Sequence, residues 1–271
     1  LEYRAGAMGA LKFCLEADPD FVMANCLRGY LMMLFGSNAM NGRVESCLAK
    51  AAEGAAAATP RERSHLAALR AWLDGDWRKS DAIWDAILVE HPTDLLALRL
   101  QHFNAFWMGR CQALRDGAAR VLPAWDKNMP GYGAVIGMYA FGLEECGEYE
   151  RAEAFGRQAV EINPDDLWAI HAVAHVHDMT GRSEEGAGWL ETQPEGWAHC
   201  NNFGYHVWWH LALMYLDQGQ ADKALALYDT DIRKDKTDDY RDISNAASLL
   251  VRLELEGVDT GPRWDELALL S

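Results

Sequence analysis

The sequence predicts an all-α protein, a right-handed α-solenoid of stacked helix pairs. Three observations carry this. Glycines recur at a near-constant interval. The segments before them place apolar residues at i, i+3, i+4 and i+7, the pattern of a helix packed on one face. No stretch alternates apolar and polar residues as a half-buried strand would.

The glycines are Gly75, Gly109, Gly147, Gly181 and Gly219, in "LDGDW", "WMGRC", "ECGEY", "MTGRS" and "DQGQA", with spacings of 34, 38, 34 and 38. Gly36, in "LFGSN", lies 39 residues before the first. A period of 34 is that of the tetratricopeptide repeat, an antiparallel helix pair, and the longer spacings fit the same unit with a longer linker. The unit around Gly147 is the clearest. Ala140 lies where the two helices approach, Tyr149 follows the turn, Ala152 and Ala159 space the second helix, and Pro164 ends it. Ala212, Tyr215, Ala224 and Tyr228 repeat this around Gly219. Ala68, Trp77, Trp84 and Pro92 do so around Gly75, so both tryptophans are expected in the core. The reading is one solenoid over residues 1–271. Its units fall near 20–56, 61–93, 95–127, 132–165, 166–200 and 205–236, with a partial unit over 241–271. The chain opens on Leu1, and "EGVDTGPRW" starts a helix cut off at Ser271. An uncapped repeat end is sticky, so more sequence is expected beyond residues 1 and 271.

Half of the residues are apolar and the formal net charge is -16. So acidic a chain repels phosphate backbones and anionic lipid, which argues against nucleic acid and membrane partners. No apolar run approaches the ~20 residues that span a bilayer. The six cysteines form no CxxC pair, which disfavours a zinc ribbon or a thioredoxin-type site. With no secretory signal in view, a reducing, cytoplasmic setting is expected.

Register then gives each residue an address. The inner face of a repeat's first helix presents the positions 13, 10, 6, 3 and 2 residues before the turn glycine. Before Gly181 these are Trp168, His171, His175, Asp178 and Met179. Before Gly219 they are His206, Trp209, Leu213, Leu216 and Asp217, with His210 at the edge of the stripe. Phe141, Glu144 and Glu145 belong to the same wall, while His177 turns toward the neighbouring helix. Two histidines at i, i+4 can chelate one metal, and a second pair from the next helix completes the set. His171, His175, His206 and His210 are therefore candidate ligands of a divalent zinc, iron or manganese ion. Ala172 stands where the HExxH motif has its general-base glutamate, so that protease motif is absent. P-loop, dinucleotide and nucleophile-elbow signatures are absent too. Cys26 falls on an inner face with no basic partner, which reads as packing rather than as a nucleophile.

The chain resembles the tetratricopeptide repeat protein 38 family. The resembling segments include "INPDDLWAIHAVAHVHDM", "HVWWHLAL", "YAFGLEE", "ALALYDTDI" and "RLELEGVDTGPRW", and they cover most of the chain in order. The resemblance implies a soluble helical-repeat protein with a poorly defined biochemical role. His171, His175, His177 and Met179 match one histidine motif of the family, with Asp178 as its acid, and His206, Trp209 and His210 match another. "YDTDI" follows the family pattern too, putting Asp231 where ordinary repeats carry alanine.

Two functions compete. The first is a repeat protein that binds a peptide or small molecule in a concave pocket. Its lining would be Phe141, Glu144, Trp168, His171, His175, Asp178, His206, Trp209 and His210. The inner pairs His65/Leu69, Arg99/Phe103, Gly137/Phe141, His171/His175 and Trp209/Leu213 carry one fixed cation. That disfavours the clamp that captures acidic peptide tails and favours a neutral or basic partner. The second is a metal-dependent or general-base hydrolase or lyase using His171, His175 and His206 as catalytic groups. The sequence leaves a homo-oligomer open.

Overall fold

A computed structural model describes residues 6–193, 197 and 200–270. Helices dominate, and no β-strand occurs among the described residues. The chain divides into two compact units, Tyr3–Val135 and Ile136–Ser271.

The first unit begins with α1 (Ala7–Ala17) and continues as three helix pairs. These are α2 (Val22–Met33) with α3 (Asn41–Gly54), α4 (Pro60–Leu73) with α5 (Trp77–Glu90), and α6 (Leu95–Trp107) with α7 (Cys111–Val121). The start of α4 is written in its sequence. Thr59 and Glu62 form a reciprocal capping box, and Pro60 sits at the first helical position, where no amide hydrogen is needed. The core around Gly75 is aromatic and polar at once. Trp84 is fully buried and donates its indole N–H to the Tyr30 hydroxyl at 3.2 Å. Tyr30 in turn donates to the His65 carbonyl at 2.7 Å, and its hydroxyl lies 3.3 Å from His65 Nδ1. His65 Nε2 reaches Asp94 Oδ2 at 2.9 Å, and Arg61 Nε reaches the same oxygen at 2.6 Å. Trp77 departs from expectation. It is 37% exposed, touching Trp72 edge-on with ring centroids 6.0 Å apart. It is the first residue of α5, where the chain is still leaving the turn, so one side of its ring stays in solvent.

The second unit holds most of α8 (Tyr132–Glu145), then α9 (Tyr149–Ile162), α10 (Leu167–Met179), α11 (Ser183–Glu191) and α12 (Phe203–Asp217). α13 (Ala221–Leu227) runs into a π-helical turn over Tyr228–Ile232, and α14 (Tyr240–Leu255) and α15 (Arg263–Ala268) follow. The end of the unit expected over 166–200 falls on residues 194–196 and 198–199, outside the described residues.

All six turn glycines adopt positive φ, from +63° at Gly109 to +79° at Gly75, and Gly257 joins them at +80°. At Gly181 the amide donates to the Asp178 carbonyl, and Arg182 donates to the His177 carbonyl at 2.9 Å. This is the Schellman closure that stops α10 and reverses the chain. The alanines of the repeat signature lie at the contacts: Ala68, Ala140, Ala152, Ala159, Ala212 and Ala224 have no exposed surface. The π turn of Tyr228–Ile232 accounts for the unusual "YDTDI". Within it Tyr228 and Ile232 are buried, while Asp231 stays partly exposed. Cys26 is completely buried, and burial pushes its thiol up to about 12, so it packs as a small apolar side chain.

Candidate metal centre

α10 and α12 carry the histidines, and the sequence explains why both helices lie deep. Asp166 caps α10 by accepting from the Ala169 amide at 3.2 Å. The segment that follows, "LWAIHAVAHVHDM", is apolar nearly all round, as befits a helix packed on several sides. In α12, "FGYHVWWHLALMYLD" has the same character.

The i, i+4 spacing puts His171 and His175 on one face of α10, and His206 and His210 on one face of α12. The two faces meet. His206 Nε2 lies 3.1 Å from His171 Nε2 and 3.1 Å from His210 Nε2, and His175 Nε2 lies 3.1 Å from His210 Nε2. One ligand atom from each ring falls within 4.8 Å of the others. His210, read from sequence as an edge residue, is a full member and is 4% exposed. The reason is register. His171 and His175 are the fifth and ninth residues of α10, and His206 and His210 the fourth and eighth of α12. α12 is two residues longer, so neighbours align from their N-termini, and counting back from Gly219 misplaces them by about one turn.

Such contacts are hard to satisfy with protons alone. In the ring plane an imidazole nitrogen carries one hydrogen or one lone pair, and so engages one partner. Four nitrogens joined by three contacts can form two hydrogen bonds at most, and the remaining close contact is left with no hydrogen bond of its own. A cation shared by four lone pairs removes that conflict. Zinc–imidazole bonds of about 2.0–2.1 Å require nitrogens about 2.8–3.4 Å apart for bond angles between a right angle and tetrahedral, which brackets the observed spacing.

The surroundings keep the lone pairs free. Burial, helped by the neighbouring imidazoles, holds His171 and His210 well below the ordinary histidine range, and burial brings His206 down to about 4. His206 Nδ1 donates to Asn245 Oδ1 at 3.0 Å, which fixes the tautomer that presents a bare Nε2. His175 Nδ1 lies 3.3 Å from Glu144 Oε2, a polar contact without hydrogen-bond alignment. His171 Nδ1 and His210 Nδ1 have no hydrogen-bond partner among the described residues. Their rings are held by packing instead. Phe141 stacks on His171 at 5.6 Å, Trp168 meets the same ring at 5.6 Å, and Trp209 lies edge-on to His210 at 4.9 Å.

The remaining candidates take different places. Trp209 also stacks on His206 at 5.3 Å. Glu144 and Glu145 bring carboxylate oxygens within 4.8 Å of a His175 nitrogen and of one another. Asp178 stands at the rim, where burial and the Asp217 charge raise its carboxyl above the usual range. His177 is wholly buried, its Nε2 3.3 Å from the Arg157 guanidinium, on the side of α9. Two contributors escaped the sequence reading. Phe203 packs 5.1 Å from His171 and 5.7 Å from His206. It belongs to the first turn of α12, before the positions that the turn glycine indexes. Asn245 sits on α14, a repeat later, and no local signal ties it to a histidine 39 residues away.

With fold and site in view, the chain is a helical-repeat protein of the tetratricopeptide type. No protein-family model matches it. Among solved structures it is similar to a thermophilic tetratricopeptide repeat protein of Thermus thermophilus at 18% identity and a TM-score of 0.53, over 70% of this chain and 99% of that one. A tetratricopeptide repeat protein from Parabacteroides merdae matches at 15% identity and TM-score 0.55, over 92% and 98%. A Rap protein complexed with competence and sporulation factor matches at 14% identity and TM-score 0.60, over 90% of this chain and 74% of that one. At such identities the likeness is one of fold, and the fold is the all-α solenoid of helix pairs that the glycine period predicts.

Proposed function

We propose that this protein is a tetratricopeptide-type binding scaffold whose second unit holds one divalent transition-metal ion on His171, His175, His206 and His210. The observation that carries the reading is the run of three 3.1 Å contacts among four Nε2 atoms. Between nitrogens so close there is room for one ion and none for an organic ligand. The histidines are therefore better read as ligands of a metal than as the lining of a small-molecule pocket. An all-imidazole set suits zinc or iron and is a poor match for manganese, which prefers oxygen donors. The helix surfaces around this centre are offered to a peptide or protein partner, as repeat scaffolds of this kind allow. The match to the histidine motifs of the tetratricopeptide repeat protein 38 family supports membership of that family. Six scattered cysteines with no CxxC pair accord with a reducing, cytoplasmic setting.

The test is elemental analysis of purified protein after dialysis against zinc and iron in turn. One equivalent is expected in the wild type and none in a folded His171→Ala, His210→Ala variant. A wild-type protein that emerges metal-free from both would sink the reading.

A further inference from the structure

Granting the metal proposed above, we infer that its coordination is open: the ion keeps a position on the His175 and His206 side and takes there a small exogenous donor, water or hydroxide at rest and a small monoanion in exchange. Three observations lead to this.

The first is the spacing of the ligands. Nitrogens 3.1 Å apart on bonds of about 2.0–2.1 Å subtend about 95–102° at the ion. A closed tetrahedral site needs about 109° and edges of about 3.3–3.4 Å with the same bonds. The three successive angles thus fall between the right angle of a square-based or octahedral set and the tetrahedral value, a range in which four protein nitrogens leave space for a further ligand.

The second is the one-sidedness of burial. His171 and His210 are 3% and 4% exposed, whereas the His175 side chain is 23% exposed and His206 is also only partly covered. The set of ligands thus has a buried floor and a more exposed side.

The third is the manner in which the rings are held. The two on the floor are fixed by aromatic packing, with no hydrogen bond at Nδ1 among the described residues. The two on the more exposed side touch aromatic rings as well, but each also has a polar group beside its Nδ1, Glu144 at His175 and Asn245 at His206. A hydrogen-bonded partner of this kind, as Asn245 is to His206, keeps a ring's lone pair aimed where its edge is more exposed. Four neutral imidazoles leave the full double charge on the ion, and the Glu144 and Glu145 carboxylates near His175 offset part of it, so an additional ligand carries at most one negative charge.

The experiment is to load the intact wild-type protein with one equivalent of cobalt(II), record its visible spectrum, and titrate with azide. Weak bands of five- or six-coordinate cobalt that shift saturably with azide are the expected result. Intense tetrahedral bands indifferent to azide would overturn the open position while leaving the metal site standing. Failure to take up cobalt, zinc or iron would remove the site and this inference together. Exogenous imidazole supplies a second readout: it should displace azide in competition, and an unchanged azide spectrum would count against a shared open position.

Discussion

The Nδ1 of His206 on α12 donates to Asn245 Oδ1 on α14 at 3.0 Å, so a helix one repeat away sets the tautomer of a ring that faces three other imidazoles. A partner of this kind tunes a ligand without touching the ion. Asn245→Ala is therefore expected to lower zinc affinity by about 10-fold, the lower end of the range for such partners. The stability of the metal-free protein should change by less than about 1 kcal/mol, because one hydrogen bond at a half-buried site is lost. Chelator-competition titration measures the first, and thermal unfolding in excess chelator the second. Unchanged affinity would mean that Asn245 does not orient the ligand.

Metal binding should also show as stability. An ion that binds only the folded state adds about 2.7 kcal/mol at a free concentration 100 times its Kd. Wild-type protein is expected to gain a higher melting temperature on addition of zinc and to lose it with chelator. The His171→Ala, His210→Ala variant should melt at one temperature in both conditions. Equal responses from the two proteins would assign the effect to adventitious surface sites.

The repeat architecture was legible because its signal is local and repeated. Each turn glycine adopts a left-handed conformation that alanine resists, and alanines mark the close helix contacts. The histidines were legible as faces, since i, i+4 spacing is a property of one helix. Their mutual register was not. It depends on α12 being two residues longer than α10, and that length is set by where α12 begins, at Phe203, not by the turn glycine. Asn245 and Phe203 were invisible for a related reason, since contact between repeats is long-range in sequence. Trp77 and Trp84 show the limit of position matching. Both fit the repeat pattern, yet a first-turn residue keeps a solvent face and a mid-helix residue does not.

That contrast is measurable. Trp84→Ala removes a wholly buried ring and takes from the Tyr30 hydroxyl a donor at 3.2 Å, leaving it the bonds to His65. A loss of about 3–5 kcal/mol is expected, in the range for buried aromatic truncations. Trp77→Ala removes a ring that is 37% exposed and should cost less than half as much. Urea unfolding of the two variants decides the matter, and equal losses would place Trp77 in the core after all.

Asp94 contributes a pH dependence to the first unit. Its side chain is 1% exposed and accepts from Arg61 Nε at 2.6 Å, His65 Nε2 at 2.9 Å and the Ala97 amide at 3.0 Å. Burial opposes the charge, but the His65 and Arg61 contacts and the Ala97 amide outweigh it and hold the carboxyl well below the usual carboxylate range. A folded-state pKa below the unfolded value of about 3.9 contributes stability that is fully present above that value. The contribution fades as pH falls through the window between the two, because the folded carboxyl resists protonation while the unfolded one accepts it. Asp94→Asn keeps the shape and the N-cap oxygen but removes the charge facing Arg61 and His65. A loss of about 2–4 kcal/mol is expected at pH 7, the scale of breaking a buried charged contact. The difference from wild type should shrink as the pH is lowered from about 4 toward 2, where the wild-type advantage is itself titrated away. Urea midpoints at pH 7, 4 and 2.5 test this. A gap between the two proteins that stays constant across that window would show that Asp94 stabilises the unit through hydrogen bonds alone, with no contribution from its charge.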